Sequence, residues 1–211
     1  MSIIKLPVSL GEAVDKLTIL DIKLERITDS RKKDVETEYN ILLEELKDFV
    51  QKYNELYCSM KKVNTLIWDM MDILRDGDVS DEVYTKVCKE CIEYNDIRFR
   101  IKNKINILSN SELKEQKSYK INRLIIEIDS SISIEKCKRH LQYISFFYDE
   151  VIIIYNSELD DDDELFDPTI IFKKQIDADN TINYKKKIVL SELSKINESF
   201  GINESEINRI L

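Results

Sequence analysis

The sequence predicts an α-dominant protein, with an antiparallel long-helix bundle or coiled-coil N-terminal domain followed by a small α/β (βαβ) C-terminal domain. Three observations predict it. First, Val35, Tyr39, Leu42, Leu46, Phe49, Tyr53, Leu56, Met60, Val63, Ile67, Met70 and Leu74 recur on alternating steps of four and three, with no Gly or Pro among residues 35–74. That heptad spacing keeps one apolar seam facing a partner helix. Second, the 211 residues hold only three Gly and two Pro, with 35 % charged and 43 % hydrophobic side chains, a balance suited to helices rather than to a turn-rich β protein. Third, the period changes after Tyr119, where two short apolar runs flank a segment of helical period. The expected domains are 1–119, with helices over about 9–28, 31–76 and 80–108, and 120–211.

In chain order, residues 3–8 alternate loosely and predict a short edge strand, with Pro7 blocking helix entry before Ser9. Ser9-Leu10-Gly11-Glu12 predicts a capping box: the Ser9 hydroxyl accepts the N3 amide, and Glu12 reaches back to the Ser9 amide. Leu10, Ala13, Leu17, Leu20, Leu24 and Ile27 then repeat the four-three step. Thr28-Asp29-Ser30 breaks the helix, and so short a connection makes its neighbours antiparallel. Over 31–76 propensity does not decide between one helix and two meeting near Tyr53-Asn54, since Asn costs only tenths of a kcal/mol within a helix. Gly77 predicts a left-handed C-cap, and Ser80 with Asp81 and Glu82 a capped N-terminus whose acidic residues suit the helix dipole.

The third helical seam runs Tyr84, Val87, Cys91, Tyr94, Arg98, Ile101, Ile105 and Leu108. Arg98 therefore occupies a core position and requires a carboxylate from Asp15, Asp69 or Asp72, because an unpaired buried guanidinium costs several kcal/mol. Residues 121–129 and 151–155 read as buried strands, and Ile134, Cys137, Leu141, Ile144 and Tyr148 as the helix between them, giving a βαβ unit with parallel strands. Beyond lie an acidic loop over 158–164, a third strand over 169–172, a helix over 185–200, and a last helix opened by the capping box Asn203-Glu204-Ser205-Glu206.

Composition excludes several functions. A net charge of −9 argues against a duplex-DNA binder, which needs a basic surface. No window approaches the ~18 apolar residues of a membrane span, and the four cysteines fit a reducing compartment, so a cytoplasmic protein is expected. The sign reverses locally from Arg98 to Lys120, where Arg98, Arg100, Lys102, Lys104, Lys114, Lys117 and Lys120 face only Glu112 and Glu115. This is read first as a solvated basic face, and otherwise as a site for an anionic ligand or a single-stranded nucleic acid.

Cys88 and Cys91 form a C-x-x-C, but a structural zinc site wants four ligands and no second pair exists. Cys91 falls in the seam, and packing explains it. Asp177 and Asp179 stand in a D-x-D arrangement that could hold Mg²⁺ or Mn²⁺, yet the preceding Phe172-Lys173-Lys174-Gln175-Ile176 is not the apolar strand such phosphatase motifs follow. No cofactor is expected, with Mg²⁺ or Mn²⁺ only under the enzymatic alternative. The turn after the first strand, Asp129 to Ser133, has no glycine for a pyrophosphate, and the single histidine, His140, lies within a predicted helix.

What remains is a set of polar residues off the seam. Lys23 and Arg26 lie on the first helix with Glu12, Asp15 and Lys16; Asn64, Trp68, Asp69, Asp72 and Arg75 lie on the second; Asn95, Arg98 and Lys102 share a face of the third with Asn106. They form either an inter-helix network or a ligand or partner site.

The run Ser9 to Glu12 with Asp15-Lys16-Leu17-Thr18-Ile19-Leu20 and Ile22 to Ile27, then Asn64, Leu66, Trp68-Asp69, Asp72, Arg75, Tyr94-Asn95-Asp96, Arg98, Lys102 and Glu115 to Tyr119, resembles the uncharacterised domain-of-unknown-function family 6165, over about residues 3–120. That pattern has an acidic residue just after the Trp-Asp pair, where this chain has Met70 and Met71. The resemblance implies no activity. It implies a setting beside glycosyltransferases and surface-glycan synthesis, and it picks out mainly the polar off-seam residues.

The function expected is therefore a non-catalytic helical interaction, scaffold or accessory protein with a protein partner or a second copy. The alternative is an enzyme or enzyme fragment of nucleotide-sugar or glycosyl transfer built on the βαβ unit.

Overall fold

The computed structural model describes residues 5–118, 120–128, 133–155, 167–174, 186–190 and 194–211. It is helix-rich, with a small parallel sheet in its C-terminal part, and divides into two compact units, Met1–Gln116 and Lys117–Leu211.

The first unit holds α1 (Leu10–Arg26), α2 (Lys32–Lys52), α3 (Asn54–Asp76) and α4 (Asp81–Leu108). α1 touches all three of the others. It buries Val14, Leu17, Thr18, Leu20 and Ile22 together with Gly11 and Asp15, which at 3.6 residues per turn cover well over half its circumference. The core around it comprises Leu46, Met60, Val63, Met70, Ile97, Ile101 and Ile105.

Length decides which neighbours are covered. Seventeen residues make α1 about 25 Å long, whereas the 28 residues of α4 run about 42 Å. The partners of α1 on α4 fall between Arg98 and Asn106. The far ends of α3 and α4 leave Ile73, Val83, Tyr84 and Ile92 exposed.

The caps follow the sequence with one exception. Ser9 accepts the Glu12 amide at 3.2 Å, Ser80 accepts that of Val83, and Gly77 takes φ +73° at the end of α3. At α1 the capping box is only half made, because the Glu12 carboxylate turns instead to Lys102, at 2.7 Å. A charge-assisted bond to a buried ammonium outweighs one to a backbone amide that water can reach.

Of the two possibilities left open for 31–76, the structure has two helices: Tyr53 leaves helical geometry at φ −121°, ψ 44°, and the break allows both α2 and α3 to contact the shorter α1. Two sequence expectations are corrected. Residues 5–8 form no strand and leave Leu6 and Val8 exposed; residues 3 and 4 of the expected strand lie outside the described residues. The span predicted as helix over 185–200 contains a fourth strand before its helix.

The second unit contains β1 (Arg123–Ile128), α5 (Ile134–Ile144), β2 (Glu150–Tyr155), β3 (Ile170–Lys174), β4 (Lys186–Leu190), α6 (Ser194–Phe200) and α7 (Glu204–Ile210). All pairings are parallel, in the order β3-β2-β1-β4. Leu124, Ile126, Val151 and Ile153 are fully buried on one face, and Ile125, Ile152 and Ile154 nearly so on the other, as a parallel sheet demands. β4 escapes prediction because Lys186 and Lys187 mask a strand that is specified by pairing with β1 at a sheet edge. At the C-terminus Asn203 and Glu206 make the reciprocal capping box that opens α7.

Candidate functional site

The sequence-selected polar residues divide into an interior network and separate surface pairs. The interior network begins at Asp15, 3 % exposed in the middle of α1. Its Oδ1 accepts from Arg98 Nε at 2.8 Å and from Asn64 Nδ2 at 2.9 Å, and its Oδ2 accepts from Arg98 Nη2 at 2.6 Å. Asn64 Nδ2 also donates to the hydroxyl of Thr18, which is fully buried. Asp15 is thus the carboxylate that the core position of Arg98 required. Its side-on bidentate geometry raises the Arg98 pKa, against the opposing effect of burial.

One turn along α4, the Lys102 ammonium reaches Glu12 at 2.7 Å and also Glu115 in the segment after the helix. Burial pulls the Lys102 pKa down, but the hydrogen bonds to Glu115 and Glu12 outweigh it, and the net shift is upward. Below this pair the helices close on each other. The Gly11 amide donates to Asn106 Oδ1 at 2.8 Å, and a Cβ on Gly11 would stand 2.6 Å from the Lys102 carbonyl oxygen.

A second cluster joins α1 to α3. Asp21 accepts from the Tyr57 hydroxyl at 2.9 Å and pairs with Lys61 at 2.8 Å, while Lys61 also meets Glu25 at 2.7 Å. Burial first, then the Asp21 hydrogen bond, push the Tyr57 phenol well above its ordinary range. Sequence reading missed this cluster. The available signal was a polar residue in register with another on a facing helix, and that register was unknown before the helices were docked.

The other candidates stay outside the network. Arg26 and Asp69 pair at 2.8 Å with each side chain over 40 % exposed, an arrangement worth at most about 1 kcal/mol. Asp72 and Arg75 lie 3.7 Å apart on the surface and line a shallow, open depression with Ile73 and Asp76. Lys23 and Trp68 are half-buried and Asn95 is exposed. Along α4 burial rises from Asn95 through Arg98 and Lys102 to Asn106 as α1 comes alongside.

Chemically the network holds rather than reacts. A nucleophilic or imine-forming lysine needs a depressed pKa, and that of Lys102 moves the other way. Three carboxylates, Glu12, Asp15 and Glu115, already face Arg98 and Lys102. Arg100 and Lys104 lie inside, Lys104 fully. Four of the seven cations in the basic segment are therefore buried or neutralised, which disfavours that segment as a phosphate-binding surface. No group of three or more His, Cys, Asp or Glu suited to a metal ion occurs among the described residues. Asp177, Asp179 and the acidic loop 158–164 lie outside those residues. Cys91 stands 4.0 Å from Met71 in the contact between α3 and α4, and no helix among the described residues is long and apolar enough to cross a membrane.

A family model described as a family of unknown function, DUF6165, matches residues 4–133. No curated protein and no solved structure matches the chain.

Proposed function

The chain belongs to the family of unknown function DUF6165, and from that premise we propose that it is a non-catalytic interaction or scaffold protein, accessory in role, whose first unit is an antiparallel helical bundle. The observation that carries this reading is the mutual pairing of Asp15, Arg98, Asn64, Glu12, Lys102 and Glu115. The polar residues with the most chemical potential are spent on holding α1, α3 and α4 together. A surface remains for association: Ile73, Val83, Tyr84 and Ile92 are all more than 40 % exposed at the ends of α3 and α4 beyond the reach of α1. The occupant we assign is a second copy of the chain. Light scattering on the full chain across micromolar concentrations tests this. A concentration-dependent dimer supports it, and a monomer throughout removes it.

A second reading has its own observation. The order β3-β2-β1-β4 reverses direction between β1 and β4, and in open parallel sheets ligands favour the crevice outside the carboxyl ends of the strands at such a reversal. An enzyme of nucleotide-sugar transfer would use that edge, with Mg²⁺ or Mn²⁺ as its cofactor. Thermal-shift measurements with UDP- and GDP-sugars plus Mn²⁺ separate the two readings. Stabilisation that grows with nucleotide-sugar concentration would favour the enzyme, and its absence the scaffold.

A further inference from the structure

The second unit contains a pocket of about 360 Å³ at the end of its sheet where β4 begins, away from the carboxyl-terminal edge. Its volume falls at the small end of the range of about 300–1,000 Å³ usual for small-molecule sites. Its walls are aromatic: Tyr143 and Phe147 from the end of α5 and just beyond it, Tyr148 in the next turn, and Phe200 from the end of α6. Tyr143 and Phe147 pack with ring centroids 5.1 Å apart and planes inclined at 58°, and Phe147 remains 37 % exposed.

The polar groups at its rim have capacity to spare. Lys186 donates to the Ser199 carbonyl oxygen at 2.9 Å and sits 4.7 Å over the Phe200 ring, leaving two ammonium protons without a partner among the described residues. Glu206 accepts the Asn203 amide through Oε2 at 3.3 Å, and its Oε1 has no partner among the described residues. The half-buried Tyr148 hydroxyl has no hydrogen bond among the described residues, and burial raises its pKa. One cation and one anion near each other disfavour a ligand of full charge in either sense. Aromatic faces with separate donors and acceptors at the edge suit a ring that carries C–H groups on its faces and hydroxyls around its rim.

We propose that this pocket binds an uncharged pyranose sugar. One face of the sugar ring lies against Phe147, Lys186 beside the Phe200 ring donates to a hydroxyl oxygen, Glu206 Oε1 accepts from a hydroxyl, and Tyr148 takes part in either sense. The assignment is independent of the scaffold reading, since either can fail alone.

Saturation-transfer NMR on the full chain tests it, with methyl glucoside, methyl galactoside and N-acetylglucosamine as probes and choline and benzoate as charged comparators. The expected result is transfer to the ring protons of at least one sugar, with millimolar affinity. Phe147→Ala should weaken it about tenfold, as loss of a stacking aromatic does, and Tyr148→Phe about three- to tenfold, as loss of one hydrogen bond does. The Tyr148→Phe variant keeps the ring, so its fold is preserved even if Phe147→Ala is unstable. Transfer to none of the sugars, equal transfer in Tyr148→Phe, or stronger transfer to choline or benzoate overturns the proposal.

Discussion

Asp15 receives both forks of the Arg98 guanidinium, at 2.8 Å from Nε and 2.6 Å from Nη2, through a carboxylate that is 3 % exposed. This links the centre of α1 to the centre of α4 across 83 residues of sequence. The pair is buried on one side only, since the Arg98 side chain retains 26 % exposure.

Removing one partner should cost far more than replacing both. Asp15→Ala removes the carboxylate to which Arg98 and Asn64 both donate and leaves the guanidinium to the weaker pull of Glu12 and Glu115, so about 3 kcal/mol of stability should be lost, toward the low end for a broken buried pair because Arg98 is partly solvated. For a unit of this size that corresponds to a fall in Tm of about 10–20 °C. The double variant Asp15→Leu with Arg98→Met should recover more than half of the loss, measured by thermal unfolding.

Gly11→Ala should be destabilising although Ala is the better helix former. The new Cβ would meet the Lys102 carbonyl oxygen at 2.6 Å and Asn106 Oδ1 at 2.9 Å, so α1 and α4 must move apart at a cost of about 1–3 kcal/mol. Gly77→Asn serves as the comparison: φ is +73° there but the nearest atom a Cβ would meet is 4.0 Å away, and Asn tolerates the left-handed region. Urea midpoints should separate the two variants clearly.

Stability should fall steeply on the alkaline side. Tyr57, Lys61 and Lys102 all have raised pKa values in the folded protein. A raised folded pKa gives stability that is complete below the unfolded value and lost as pH rises through the folded one. The unfolded values are about 10 for Tyr and 10.4 for Lys, so the loss should begin near pH 10 and all three groups contribute with the same sign. Denaturant midpoints from about pH 8 to pH 11.5 will show it, and Tyr57→Phe should flatten the slope.

If the uncovered ends of α3 and α4 carry self-association, Ile92→Glu should weaken the dimer at least about tenfold. Ile92 is 65 % exposed, so Tm of the dilute monomer should stay within about 2 °C of the parent, as for ordinary surface substitutions. Sedimentation equilibrium checks both halves, and an unchanged dimer constant would assign the interface elsewhere.

In the first unit the helix ends at Ser9, Ser80 and Gly77 were legible because the signals are local, whereas the break at Tyr53 was not. Apolar spacing, the Ser9 and Ser80 caps, Gly77 and the Asn203 box each act within a few residues, and each stands where the sequence put it. The parallel β1-α5-β2 unit was legible for the same reason, from period and β-branching. The strand at Lys186–Leu190 was not, because a short edge strand owes its conformation to β1 beside it rather than to its own residues.

The sequence by itself determined that Arg98 needed a carboxylate and that a set of polar residues lay off the seam. Only the tertiary structure decided that Asp15 would supply it, that Glu12 would leave the helix cap for Lys102, that Tyr57 and Lys61 would meet on Asp21, and that Asp72, Arg75 and Asn95 would stay in water. The reason is geometric. Periodicity fixes which face of a helix is apolar, but burial of a polar residue depends on what lies opposite, and α1 is long enough to cover only part of α3 and α4.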